Sequence, residues 1–152
     1  MGQYYMVCNL DKKQFIHPHK FGDGLKLLEF GCSGEGTMTG LAILLSDGNG
    51  RGGGDLHSDN PIIGSWAGDR IVIAGDYADG GKFVNEEGTP FFKNEDSTTL
   101  YEWACETWQD ISVEVLKAMA DDDYIREKLL STAKDSYVGN PLSVALKEAG
   151  VK

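Results

Sequence analysis

Glycine is spread so unevenly along this chain that it limits where regular structure can form. All but three of the 20 glycines (Gly2, Gly139 and Gly150) lie between residues 22 and 88. They are densest in two runs, Gly31-Cys32-Ser33-Gly34-Glu35-Gly36 and Gly48-Asn49-Gly50-Arg51-Gly52-Gly53-Gly54-Asp55. Glycine reaches left-handed backbone without a steric penalty and lets the chain approach a ligand or another backbone closely, but it weakens the interior of a helix or strand. The two runs are therefore turns. They flank an apolar stretch, residues 41–45, that reads as a buried helix, and they mark where a site is to be sought.

Outside the runs, periodicity and capping residues give the elements. Residues 4–10 are rich in aromatic and β-branched side chains and read as a strand. Asp11-Lys12-Lys13-Gln14 is a turn, and Phe15-Ile16-His17 is a short partner strand that stops before Pro18. Residues 24–30 suggest a short helix with Asp23 as N-cap and Gly31 as its stop. Thr37 is placed to cap a second helix that reaches Leu45 or Ser46. Residues 69–77 form the clearest strand, and their apolar centre suggests an interior position in the sheet.

After Gly88 the pattern turns helical. Residues 94–99 are a capping cluster, and Thr99 with Glu102 matches a capping box. Leu100, Trp103, Ala104, Trp108, Ile111 and Val115 follow a helical repeat, with a restart at Ser112 after a kink near Asp110. Asp121, Asp122 and Asp123 put negative charge where a helix N-terminus favours it. Asn140-Pro141 is an N-cap followed by proline at the first helical position, and Gly150 ends that helix. No linker, repeat or low-complexity segment interrupts the chain. The expectation is one domain over residues 1–152 of the α+β class: a small, mainly antiparallel sheet with glycine-rich loops, covered by helices, with a helical C-terminal half.

Composition narrows the function. Aspartate and glutamate outnumber lysine and arginine by 24 to 14, for a net charge of −10. Phosphate binding needs clustered cations, so direct nucleic-acid binding is not expected, and anionic membranes are disfavoured for the same reason. Basic proteins and divalent cations become the natural partners. The three cysteines, Cys8, Cys32 and Cys105, are odd in number and widely spaced, which suits a reducing compartment. With no signal-peptide pattern and no apolar run of membrane length, a cytoplasmic location is expected.

Three constellations carry candidate chemistry. Glu102, Glu106, Asp110 and Glu114 recur every four residues and would form one carboxylate stripe on a helix. Like charges at that spacing are mildly destabilising, so a basic partner or cation would relieve them. The alternative is an ordinary solvated face. The glycine runs offer a phosphate cradle made of free N–H groups and a helix N-terminus, with Gly34, Gly36, Arg51, Gly53 and Gly54 as candidate ligand contacts to a nucleotide or other phosphorylated molecule. Neither run is a P-loop or a Rossmann fingerprint, and tight, close-packed turns are the simpler reading.

The third constellation is Asp55-Leu56-His57 followed by Gly75-Asp76-Tyr77-Ala78-Asp79-Gly80. It resembles the first two motifs, D-x-H and G-D-x-x-D-x-G, of the calcineurin-like metallophosphoesterases. That resemblance implies a two-metal site using Asp55, His57, Asp76 and Asp79, whose paired ions would clamp the attacking and leaving oxygens of a phosphoester. The family's G-N-H-[DE] motif is missing, and His17 and His19 precede the pattern. Those two histidines, with Cys8 or Asp23, are a weaker metal candidate. Cys105 sits beside Glu106, which disfavours a thiolate nucleophile.

At family level, His17-Pro18-His19-Lys20-Phe21-Gly22-Asp23-Gly24-Leu25-Lys26-Leu27-Leu28-Glu29-Phe30-Gly31, Gly50-Arg51-Gly52-Gly53-Gly54-Asp55 and Trp66-Ala67-Gly68-Asp69-Arg70-Ile71-Val72-Ile73-Ala74-Gly75-Asp76-Tyr77 look like a group of uncharacterised small proteins of bacteria and their phages. The likeness runs from about residue 1 to residue 80. It implies a phage or mobile-element setting and no activity. The expectation is a non-enzymatic, acidic inhibitor or accessory protein that needs no cofactor and docks a basic protein through Glu102, Glu106, Asp110 and Glu114. Binding of a phosphorylated ligand and metal-dependent phosphoester cleavage are the alternatives.

Overall fold

The computed structural model describes residues 2–78, 81–92 and 98–152. Its frame is a hairpin of β1 (Tyr5–Asn9) and β2 (Gln14–Ile16), antiparallel with Val7 opposite Ile16 and Asn9 opposite Gln14. The turn forms because the buried Asn9 side chain accepts the N–H groups of Asp11 and Lys12, at 2.9 and 2.8 Å, and Lys13 takes a left-handed φ of 54°. β3 (Ile71–Gly75) runs antiparallel along the other side of β1, from Tyr5 opposite Gly75 to Asn9 opposite Ile71. β4 (Gln109–Asp110) pairs with β2 in parallel, and the strand order is β3-β1-β2-β4.

The apolar run over residues 71–75 therefore lies at an edge of the sheet, among the described residues, and not in its interior. Ile73 is 40% exposed there. The fully sandwiched strand is β1. Met6 and Cys8 on one face join Phe15, Ala74, Leu100, Ala104 and Trp108. Val7 on the other face joins Ile16, Phe30, Leu44, Trp66, Val115 and Met119. Burial on both faces removes the polar–apolar alternation that would separate an interior strand from an edge one.

Among the described residues six α-helices cover the sheet: α1 (Leu27–Gly31), α2 (Thr37–Leu45), α3 (Leu100–Thr107), α4 (Ser112–Met119), α5 (Asp123–Asp135) and α6 (Pro141–Glu148). Most caps follow the sequence. Thr99 accepts the N–H of Glu102, Asp122 that of Ile125, and Asn140 that of Ser143 ahead of Pro141. The rest of the 94–97 capping cluster lies outside the described residues. Two assignments change. The N-cap of α1 is Lys26 and not Asp23, and the N-cap of α2 is Gly36, which leaves Thr37 as its first helical residue. α2 packs closely on α4 because Gly40 has no side chain to hold it off; a Cβ there would stand 3.0 Å from Val115 Cγ1.

Candidate functional site

Both glycine runs hold a carboxylate where a phosphate would sit. At the first, Gly36 has no side chain with which to cap α2, and Asp23 reaches in from fourteen residues upstream. Its Oδ2 accepts the backbone N–H of Thr37 at 2.8 Å and the Thr37 hydroxyl at 2.6 Å. Ser33 Oγ accepts the next N–H, that of Met38, at 3.3 Å. Burial raises the pKa of Asp23 above the ordinary carboxylate range, against the opposing pull of the bonds from Thr37 and Ser33.

At the second run, Asp55 Oδ2 accepts the N–H groups of Gly50 and Arg51, at 2.9 and 2.8 Å. Those two backbone bonds, the Arg51 one first, hold its pKa below the usual range. Asn49 closes the loop by accepting the N–H of Leu56 and donating to its carbonyl, both at 2.8 Å. Gly48, Gly50, Gly52, Gly53 and Gly54 all have positive φ, from 40° to 107°, so the chain turns back on its own aspartate. The Arg51 side chain is exposed and forms no ion pair among the described residues. Of the expected ligand contacts, Gly36 lies beside the Asp23 carboxylate, and Arg51, Gly53 and Gly54 belong to a loop organised around Asp55. Gly34 is exposed in the turn before Gly36.

The metal patterns do not assemble among the described residues. Among the described residues no three His, Cys, Asp or Glu side chains are grouped as a metal site requires, so Asp55, His57 and Asp76 do not converge. Asp79 lies outside the described residues. Asp76 instead closes the β1–β3 ladder: its N–H donates to the Tyr4 carbonyl and its Oδ1 accepts the Tyr4 N–H, both at 2.9 Å. His17 and His19 lie with ring centroids 5.3 Å apart, and no Cys8 or Asp23 completes a ligand set. Burial, reinforced by His19, pushes the His17 pKa down to about 4, with Asp110 pulling the other way. Burial also raises Cys8 and Cys105, and Asp110, Glu106 and Glu102 add to the effect on Cys105. Neither thiol is disposed to ionise near neutral pH.

The four carboxylates expected on one helical stripe are divided among three elements. Glu102 and Glu106 are exposed on α3, Asp110 lies on β4, and Glu114 is exposed on α4. The division has a backbone cause. After Thr107 the chain turns its hydrogen bonds to β2, with the N–H of Gln109 on the Lys13 carbonyl and that of Ile111 on the Phe15 carbonyl. Asp110 is half-buried, pairs with Lys20 at 2.7 Å and accepts the N–H of Ser112 at 2.9 Å, so its charge is already matched. Glu102, Glu106 and Glu114 form no ion pair among the described residues. Sequence reasoning missed the partnership of Lys20 with Asp110 and the insertion of Asp23 and Asp55 into the glycine turns. The only signal was an aspartate near each run.

No family model matches the chain, and neither a curated protein nor a solved structure is detectably similar to it. Among the described residues no helix is long and apolar enough to cross a membrane.

Proposed function

We propose that this is a non-enzymatic, cytoplasmic binding protein that docks a basic protein partner through the acidic outer face of α3. The observation that carries the reading is the exposure of Glu102 and Glu106 on α3 without a matching cation among the described residues, on a chain of net charge −10; Glu114, on α4, packs from the other side of the sheet and is not part of this face. Such a surface steers a basic partner and excludes acidic ones. Asp110, neutralised by Lys20, supports the fold beneath this face and does not belong to the contact set. We further propose an inhibitor or accessory role in a phage or mobile-element setting.

The phosphorylated-ligand reading is weaker because Asp23 and Asp55 already take the amide groups it needs. The test is capture from cell lysate by immobilised wild type and by Glu102→Lys/Glu106→Lys, with circular dichroism confirming the fold of the variant. Proteins retained by wild type at low salt, and lost from the variant, support the reading. Equal retention by both proteins overturns it.

A further inference from the structure

The second glycine run forms one wall of a cleft of about 290 Å³. Apolar side chains supply much of the lining: the exposed Ala42 and the buried Ile43 of α2, with Leu56, Ile63 and, from α5, Ile125. Two carboxylates stand in its lining, Asp55 from the loop and Asp122 at the start of α5, and no lysine or arginine does. Each uses only its Oδ2 in hydrogen bonds to backbone: Asp55 to Gly50 and Arg51, Asp122 to Ile125. Neither Oδ1 has a hydrogen-bond partner among the described residues. The volume is near the lower end of small-molecule sites, which run from roughly 300 to 1,000 Å³. An apolar lining with two partly unsatisfied anions matches one ligand chemistry, a compact apolar body bearing a single ammonium or guanidinium group. A phosphate or carboxylate ligand would meet like charge.

We infer that this cleft binds a small organic cation with an apolar body. The site is separate from the α3 face and does not depend on the docking function. The loop accounts for the arrangement: the left-handed glycines fold the chain so that Asp55 closes the turn with one oxygen and leaves the other without a partner among the described residues.

The test is calorimetric titration with phenethylammonium, using 2-phenylethanol and 3-phenylpropanoate as neutral and anionic controls of the same shape. Asp55→Asn/Asp122→Asn removes both charges while keeping an acceptor for each backbone bond, since asparagine caps a helix as well as aspartate. Ala42→Phe keeps the charges and narrows the cleft. Saturable binding of the cation to wild type, at least about tenfold stronger than binding of either control and weakened by about tenfold or more in both variants, is the expected result. Absence of saturable binding, or binding that neither variant weakens, overturns the assignment. If the double variant does not fold, the Ala42→Phe comparison and the two control ligands still decide. Loss of capture by the Glu102/Glu106 variant, with cation binding unchanged, would separate this site from the docking face.

Discussion

Asp23 and Thr37 are joined by two hydrogen bonds, of 2.8 and 2.6 Å, that close the N-terminus of α2 from outside the helix. Thr37 is buried, and the local N-cap is a glycine with no side chain to offer. Removing the carboxylate leaves a buried N–H and hydroxyl unpaired, which costs about 1–3 kcal/mol. Asp23→Ala should therefore lower the urea midpoint by that equivalent, and Thr37→Val by less. The geometry also accounts for Gly36, the N-cap of α2. A Cβ there would stand 2.5 Å from Asp23 Oδ2. Gly36→Ala should destabilise the wild type and do so less in an Asp23→Ala background. Strict additivity in that double-mutant cycle would show that the two residues do not act together.

Asp55 is the organising anion of the second glycine loop, and its effect should be local. Asp55→Ala frees the N–H groups of Gly50 and Arg51, whose hydrogen exchange should quicken while core amides of β1 stay unchanged. Asp55→Asn should keep most of the protection. The pKa of Asp55 is depressed in the folded state, so the contribution of the ionised form is present above the unfolded value and is lost as pH falls through the folded one. The same amides should accordingly lose protection, relative to the β1 amides, in acid. Uniform protection of Gly50 and Arg51 in wild type and Asp55→Ala would remove the aspartate from this role.

Gly40 sets the spacing of α2 on α4. Alanine is about 1 kcal/mol better than glycine within a helix. Its Cβ would stand 3.0 Å from Val115 Cγ1 and 3.2 Å from Phe21 Cε1, and both neighbours are buried in the main core. Overpacking of that kind costs about 1–3 kcal/mol, which outweighs the propensity gain. Gly40→Ala should thus be less stable than wild type by about 1 kcal/mol in urea unfolding. A stabilised variant would mean that the helix pair separates more freely than its packing implies.

What the sequence made legible were the features set by near neighbours. The β1–β2 hairpin, the span of α2, the Thr99 cap, the acidic start of α5 and the Asn140-Pro141 start of α6 all depend on residues within a turn or two of each other. The misplaced features depend on distant ones. The four-residue spacing from Glu102 to Glu114 is helical, but pairing of Gln109 and Asp110 with β2, some 95 residues upstream, overrides it. The run Ile71–Gly75 is apolar enough for an interior strand, but hydrophobicity does not say which strands lie on either side. Glycine runs mark unusual backbone correctly. Whether their amide groups face a ligand or a carboxylate of the same chain is decided by tertiary contacts such as that of Asp23 with Thr37.

The half-buried imidazole of His17 gives the fold an acid-sensitive contact. Its folded pKa of about 4 lies below the ordinary value of 6.5, first because burial disfavours the charged ring and then because His19 stands beside it. Lys20 acts in the same direction, and Asp110 opposes them. Above pH 6.5 the ring is neutral in both states and adds no pH dependence. Between pH 6.5 and about 4 the unfolded chain binds a proton that the folded one refuses, so stability falls with falling pH; below about 4 the loss is complete. After allowance for partial exposure the effect is about 2 kcal/mol. Asp23, with its raised pKa, shifts stability the opposite way, so the His17 contribution must be read as a difference. Urea midpoints of wild type and His17→Asn, measured from pH 7 to pH 4, should diverge steadily across that window, with wild type losing more. Parallel curves would place the imidazole in contact with solvent that can charge it freely.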